Sequence, residues 1–320
     1  MKHFMQGCAI AAVVLIVLGL GMTSIAGNLK GKETIKNVVE SVTDGKVHVN
    51  LDSISDWGIT VGENLDNVHY EIEDSMVFDK KHDILKGDVE KYSVGSAVTK
   101  LDIQVGGCTL NMEESEDSDY YLQAENIKKF QGYVENGILY VKGTTQTATV
   151  SAGKEGVITL YVPKNWTDNP LEKVNVELGA GAMEINGIAA DKVLLEVGAG
   201  QIDISEIVAD TLDISVGMGE IIVGQMTVDK LLGEVGMGHL YLKGDISDKA
   251  DVDCAMGSLE MVVKGSQGDF DYDVECGMGN IKIGDNSYSG VAQEKEIDNG
   301  ASKKMLVECS MGDVNISFTE

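Results

Sequence analysis

Three short stretches of the chain set a cysteine two residues before a methionine: Cys254 and Met256, Cys276 and Met278, Cys309 and Met311. Thiolate and thioether are soft ligands, and six of them brought together would suit Cu(I). The same residues also fit a core. Cys stands where Leu178, Val197, Val216 and Val235 stand in equivalent stretches, and Met stands where Ala180 and Ala199 stand. A free Cys packs as a small hydrophobe. Replacement in kind favours packing, so no metal ligand is assigned here. A Cys254–Cys276 disulfide is a third reading, suited to an oxidising exterior. In-register neighbours on parallel strands lie ~4.8 Å apart, which is wide for that bond.

One residue before each of those slots runs a second column: Glu177, Glu196, Glu234, Asp253, Glu275 and Glu308, interrupted by Ser215. Calcium could bridge such carboxylates. A solvated face accounts for them as well, since like charges at strand spacing repel and turn to water. Catalytic chemistry finds little. His3, His48, His69, His82 and His239 are scattered and unpaired in sequence, and no nucleophile elbow, phosphate loop or zinc spacing occurs. The chain therefore reads as non-enzymatic, with no catalytic residue and no cofactor.

Charge narrows the partners. The net charge is −27, and all 25 basic residues are lysine. Without Arg there is no bidentate partner for phosphate or carboxylate. Nucleic acid and nucleotides are excluded as ligands on this ground. Carbohydrate-cleaving β-helices gather Asp with Arg or Lys; Lys192, Lys230 and Lys249 instead recur near a turn, where they deter edge pairing.

The elements that carry these residues repeat. Aligned on the second glycine of a Gly-x-Gly-like step, "VELGAGAMEI", "LEVGAGQIDI", "ISVGMGEIIV", "GEVGMGHLYL", "VDCAMGSLEM", "VECGMGNIKI" and "VECSMGDVNI" place Gly181, Gly200, Gly219, Gly238, Gly257, Gly279 and Gly312 at spacings of 19, 19, 19, 19, 22 and 33. Period-two alternation on either side marks strands, and the inward phase slips by one residue across each corner. Glycine there tolerates unusual backbone angles. One 19-residue unit cannot bury its own apolar face, so units must stack. The expected fold is all-β: a single-stranded parallel β-solenoid (a β-helix) of 19-residue coils, right-handed by the usual crossover preference.

Four segments follow. Cys8–Ala26 is uncharged over 19 residues, long enough for one membrane helix, so residues 1–27 are expected to be a transmembrane signal-anchor. Ser24-Ile25-Ala26 also offers a signal-peptidase site; the length of the apolar run favours the anchor. Residues 28–95 read as a polar stalk or small mixed region, 96–170 as irregular first coils, and 171–320 as regular repeats. Asn136-Gly137 predicts a hairpin, and residues 286–304 a polar, mobile loop.

"LDIQVGGCTLNM", "YYLQAENI", "VENGILYVKG", "ITLYVPKNW" and the "VELGAGAMEI"-type units together resemble a bacterial β-strand-repeat domain family labelled "putative adhesin", over about residues 98–318. The resemblance implies no established activity and transfers no functional residue. Members of that family often follow a single membrane segment. It implies a surface scaffold attached to the cell membrane through residues 8–26, single-pass, with the bulk of the chain extracellular and a cell-envelope component or protein as partner. Some members resemble accessory proteins of envelope-stress operons, which makes regulation of a membrane sensor the alternative; a carbohydrate-active enzyme is the remote one.

Overall fold

The computed structural model describes residues 76–145, 156–164, 166–289 and 293–320. The expected membrane segment, residues 8–26, lies outside them. No helix among the described residues is long and apolar enough to cross a membrane.

Among the described residues every regular element is a strand, apart from two single 3-10 turns at Trp166–Asp168 and Gln267–Asp269. The alternation seen in sequence is the alternation of burial: along β7 (Leu171–Leu178), Val174, Val176 and Leu178 are buried, while Asn175 and Glu177 face outward. The 19-residue spacing becomes strand register. In β10 (Gln201–Val216) and β11 (Glu220–Val235), Ile202 pairs with Ile221 and Val216 with Val235, all in parallel. The inward residues form one continuous aliphatic core with few rings.

The architecture nevertheless differs from the expected single-stranded parallel β-solenoid, because the sheet closes on itself. β4 (Tyr120–Glu135) pairs with β5 (Ile138–Thr144), β5 with β2 (Lys100–Gly106), β2 with β7, β7 with β9 (Ile188–Val197), and β9 with β10. The circuit returns from β10 through β8 (Gly181–Ile185), β3 (Cys108–Glu114) and β6 (Val157–Val162) to β4. Nine strands thus form a barrel, and the remaining strands lie outside it. Two 16-residue strands make closure possible. β10 pairs with β8 through Gln201–Ile204 and with β9 through Ile207–Val216. β4 pairs antiparallel with β6 at one end and with β5 at the other. Repeat spacing reports only the parallel neighbours, so the antiparallel strand that joins the two halves left no periodic trace.

Chain order and spatial order also part company. β2 and β3 sit between β5 and β6 on one side and β7 and β8 on the other. At the far end, β18 (Lys303–Cys309) and β19 (Asp313–Thr319) insert between β12 (His239–Cys254) with β13 (Ser258–Lys264) and β14 (Phe270–Cys276) with β15 (Asn280–Ile283). The predicted mobile loop is largely strand: β16 (Asn286–Ser289) and β17 (Gln293–Ile297) pair antiparallel with β15 and β14. At the other end β1 (Leu85–Gly95) lies antiparallel on β4, so the sheet begins within the segment expected to be a stalk. An open parallel edge would invite pairing with another chain; at the far end the short antiparallel strands β16 and β17 cover it instead. The hairpin at Asn136-Gly137 is present, with φ of 53° and 77°.

Candidate functional site

The corners build the most regular surface. An added Cβ on Gly200, Gly219, Gly238, Gly257, Gly312 or Gly279 would come within 3.0 Å of the carbonyl oxygen of the preceding corner, and on Gly181 of that of Cys108. Only Gly181 has a positive φ, 113°. Close stacking of backbones, rather than the unusual angles expected, is thus what demands glycine at the other six. The residue before each of these glycines turns its side chain outward; Ala255 and Ser310 take the place of the first glycine in two corners.

That side chain is methionine in five successive corners. Hydrogen bonds from Met218 N to Gly198 O, Met237 N to Gly217 O, Met256 N to Gly236 O, Met311 N to Ala255 O and Met278 N to Ser310 O stack them in that order. Met218, Met256, Met311 and Met278 are 40%, 42%, 52% and 67% exposed, and Met237 is half-buried. The ridge they form runs roughly 20 Å at strand spacing, beside a shallow groove lined by Gln201, Glu220 and His239 among others. The core slot expected for these methionines is therefore a surface slot. Alternation breaks at the corner, and Cys and Met two residues apart end on opposite sides.

The cysteines remain inside. Cys254, Cys309 and Cys276 are free and at most 2% exposed. Cys309 pairs in register with both of the others, so it stands between the two once considered for a disulfide. Cys309 Sγ donates to Gly312 O at 3.1 Å and Cys276 Sγ to Gly279 O at 3.2 Å. Burial pushes the Cys254 thiol up to about 12 and raises that of Cys309. Buried thiols facing away from the exposed methionines do not make a six-sulfur metal ladder.

The acidic column holds one register, broken only at Ser215, in the order Glu177, Glu196, Ser215, Glu234, Asp253, Glu308, Glu275 and then Glu294. Desolvation first, and then the charge of neighbouring carboxylates, raises Glu177, Asp253 and Glu308 above their ordinary values; desolvation also raises Glu196. A recess of about 300 Å³ at the capped end is lined by Glu275, Glu294 and Glu308. Lys173, Lys192, Lys230, Lys249 and Lys304 form a parallel lysine column on the same face, with Thr211 in the gap. Lys192 and Lys249 pair with Asp213 and Asp251 at 3.8 and 2.9 Å.

One cluster escaped the sequence reading. His82 is not isolated: its ligand nitrogen, a carboxylate oxygen of Asp79 and one of Glu135 all lie within 4.8 Å of one another. Glu135 is 53 residues from His82, and Asp79 and His82 fall in the stretch read as a stalk, so no spacing signal could join them.

Residues 98–233, from just before β2 into β11, match the family Toastrack DUF4097. Over this stretch the chain is similar to that family. The stretch holds all nine strands of the closed circuit, and the family has no assigned function. β1 and β12–β19 lie outside the matched region and extend the same sheet. No curated protein matches the chain. Among solved structures, the chain is similar to a "putative adhesin" from Parabacteroides distasonis, with 14% identity over 72% of this chain and 97% of that one, at a TM-score of 0.44. A "putative adhesin" from Parabacteroides merdae shows 14% identity over 74% and 99%, at 0.41. A "putative lipid binding protein" from P. distasonis shows 17% over 72% and 96%, at 0.36.

Proposed function

We propose that this chain is a non-enzymatic surface protein that docks a cell-envelope component, held at the outer face of the membrane by residues 8–26. The observation that carries this reading is the methionine ridge. The middle residue of each corner faces outward, and in five successive corners it is methionine, exposed at four of them where a polar residue would be better solvated. Contiguous exposed apolar surface of this kind marks an interaction site, and methionine adapts to irregular partners. The carboxylate column on the same sheet, within a chain of net charge −27, selects a neutral or cationic partner and repels anionic polymers.

The test compares the full-length protein with a variant carrying Met218→Ser, Met256→Ser, Met278→Ser and Met311→Ser. These side chains are exposed, so the variant folds. Retention on isolated cell-wall material and native membranes is expected to fall at least tenfold. Equal retention would remove the ridge as the docking surface, and turnover of a glycan panel by either protein would remove the non-enzymatic reading.

A further inference from the structure

We propose that Asp79, His82 and Glu135 form a binding site for a divalent transition cation of intermediate softness, represented by zinc(II). The argument begins with the buried Gln131 on β4, which is 1% exposed. Its Nε2 donates to Asp79 O at 2.7 Å and to His82 O at 2.9 Å, and its Oε1 accepts from Asp79 N at 2.8 Å. A buried amide must be hydrogen-bonded; this one is satisfied by fixing both ends of the turn that carries two of the three ligands.

The third ligand comes from the same strand as the clamp. Tyr133 and Glu135 are two residues apart on β4 and so share a face. The Tyr133 ring stacks on His82 at 3.7 Å between centroids and 12° between planes, and on Tyr140 at 5.0 Å. The stack sets the imidazole plane before any ligand arrives, as second-shell contacts do in metal sites. Asp79 Oδ1 accepts from Lys81 N at 2.9 Å, a bond that steadies the carboxylate on the turn.

Charge also favours a cation. Among the described residues no lysine makes an ion pair with Asp79 or Glu135; the nearby Lys142 donates to Val77 O at 2.8 Å instead. One imidazole and two carboxylates suit zinc(II), whereas calcium and magnesium prefer oxygen alone. A tetrahedral zinc shell sets ligand atoms roughly 3.4 Å apart. Rotation of the half-buried Asp79 and Glu135 side chains closes the present gaps, and the fourth position is left to water or to a ligand from a partner.

Full-length protein in detergent micelles, with its thiols reduced, is titrated with zinc(II) by calorimetry and followed by thermal melting. The wild type is expected to bind one equivalent that His82→Ala weakens by roughly 100-fold and Glu135→Gln by roughly tenfold. Gln131→Leu, which touches no metal, is expected to weaken binding roughly tenfold while calcium remains unbound. Zinc affinity and stoichiometry unchanged in both His82→Ala and Glu135→Gln would overturn the site. Tighter binding of calcium than of zinc would overturn its assignment. Because the methionine ridge lies elsewhere, loss of zinc binding without loss of wall retention separates this site from the proposed docking function.

Discussion

At the scale of single residues, the corner glycines and the core cysteines make opposite predictions. Gly238 has no room for a methyl group, because an added Cβ would collide with the backbone of Gly219 and the side chain of Val216. Neither can move without disturbing the next corner. Gly238→Ala should therefore cost ~1–3 kcal/mol, the usual range for overpacking, visible as a lower denaturation midpoint. Cys276→Val keeps shape and apolarity in a buried slot and should change stability by less than ~1 kcal/mol. The thiols themselves are inaccessible. In the native protein at pH 8, Cys254, Cys276 and Cys309 should resist a disulfide reagent until denaturant is added; rapid labelling would contradict their burial. The replacement pattern of Cys for Val announced the core position in the sequence. The outward turn of methionine was not announced, because period-two alternation carries no information across a corner.

At the scale of elements, the inserted β18–β19 unit governs the end of the sheet. Its residues are hydrogen-bonded on both sides, to β12 and β13 and to β14 and β15. Truncation after residue 302 would strip β14 and β15 of their parallel partners β18 and β19 and bare the edge of β12 and β13. The shortened protein should lose protection from proteolysis from about residue 258 onward and aggregate through that edge. Limited proteolysis read by mass spectrometry checks this. If the units stacked in chain order, the same truncation would merely remove a final layer and leave the rest protected. The spacings of 22 and 33 were the visible trace of this detour, but a spacing says that extra residues exist and not where they lead. The turn that positions Asp79 and His82 was invisible for a related reason: its anchor, Gln131, is about fifty residues away, and only packing brings the two together.

At the scale of the whole molecule, the excess of carboxylates couples stability to pH. Glu177, Glu196, Asp253 and Glu308 have folded-state values raised above the ordinary 4.5 or 3.8. Between the ordinary and raised values the folded state binds more protons than the unfolded state, so stability rises as pH falls through that window. Melting temperature should therefore increase on going from pH 8 toward pH 5, and level off once the unfolded carboxylates also protonate. Asp117 and Asp269 act oppositely: hydrogen bonds lower them, and their contribution disappears below about pH 4. High salt should flatten the rise only in part, since it screens repulsion between carboxylates but leaves their desolvation. Glu177→Gln should raise the melting temperature at pH 7 and reduce its pH dependence; an unchanged profile would mean that the column is fully solvated.

The sequence alone determined the local rules of this protein. Alternation made strands, a 19-residue period made parallel register, and corner glycines let backbones stack, because each of these depends on neighbours at fixed separations along the chain. Tertiary structure alone decided that β4 and β10 each bridge two ladders and close nine strands into a barrel, that β18 and β19 thread between earlier strands, and that Asp79, His82 and Glu135 converge. Those outcomes follow from which edges remain unpaired and which buried polar groups still need partners, and such conditions exist only once the whole sheet is assembled.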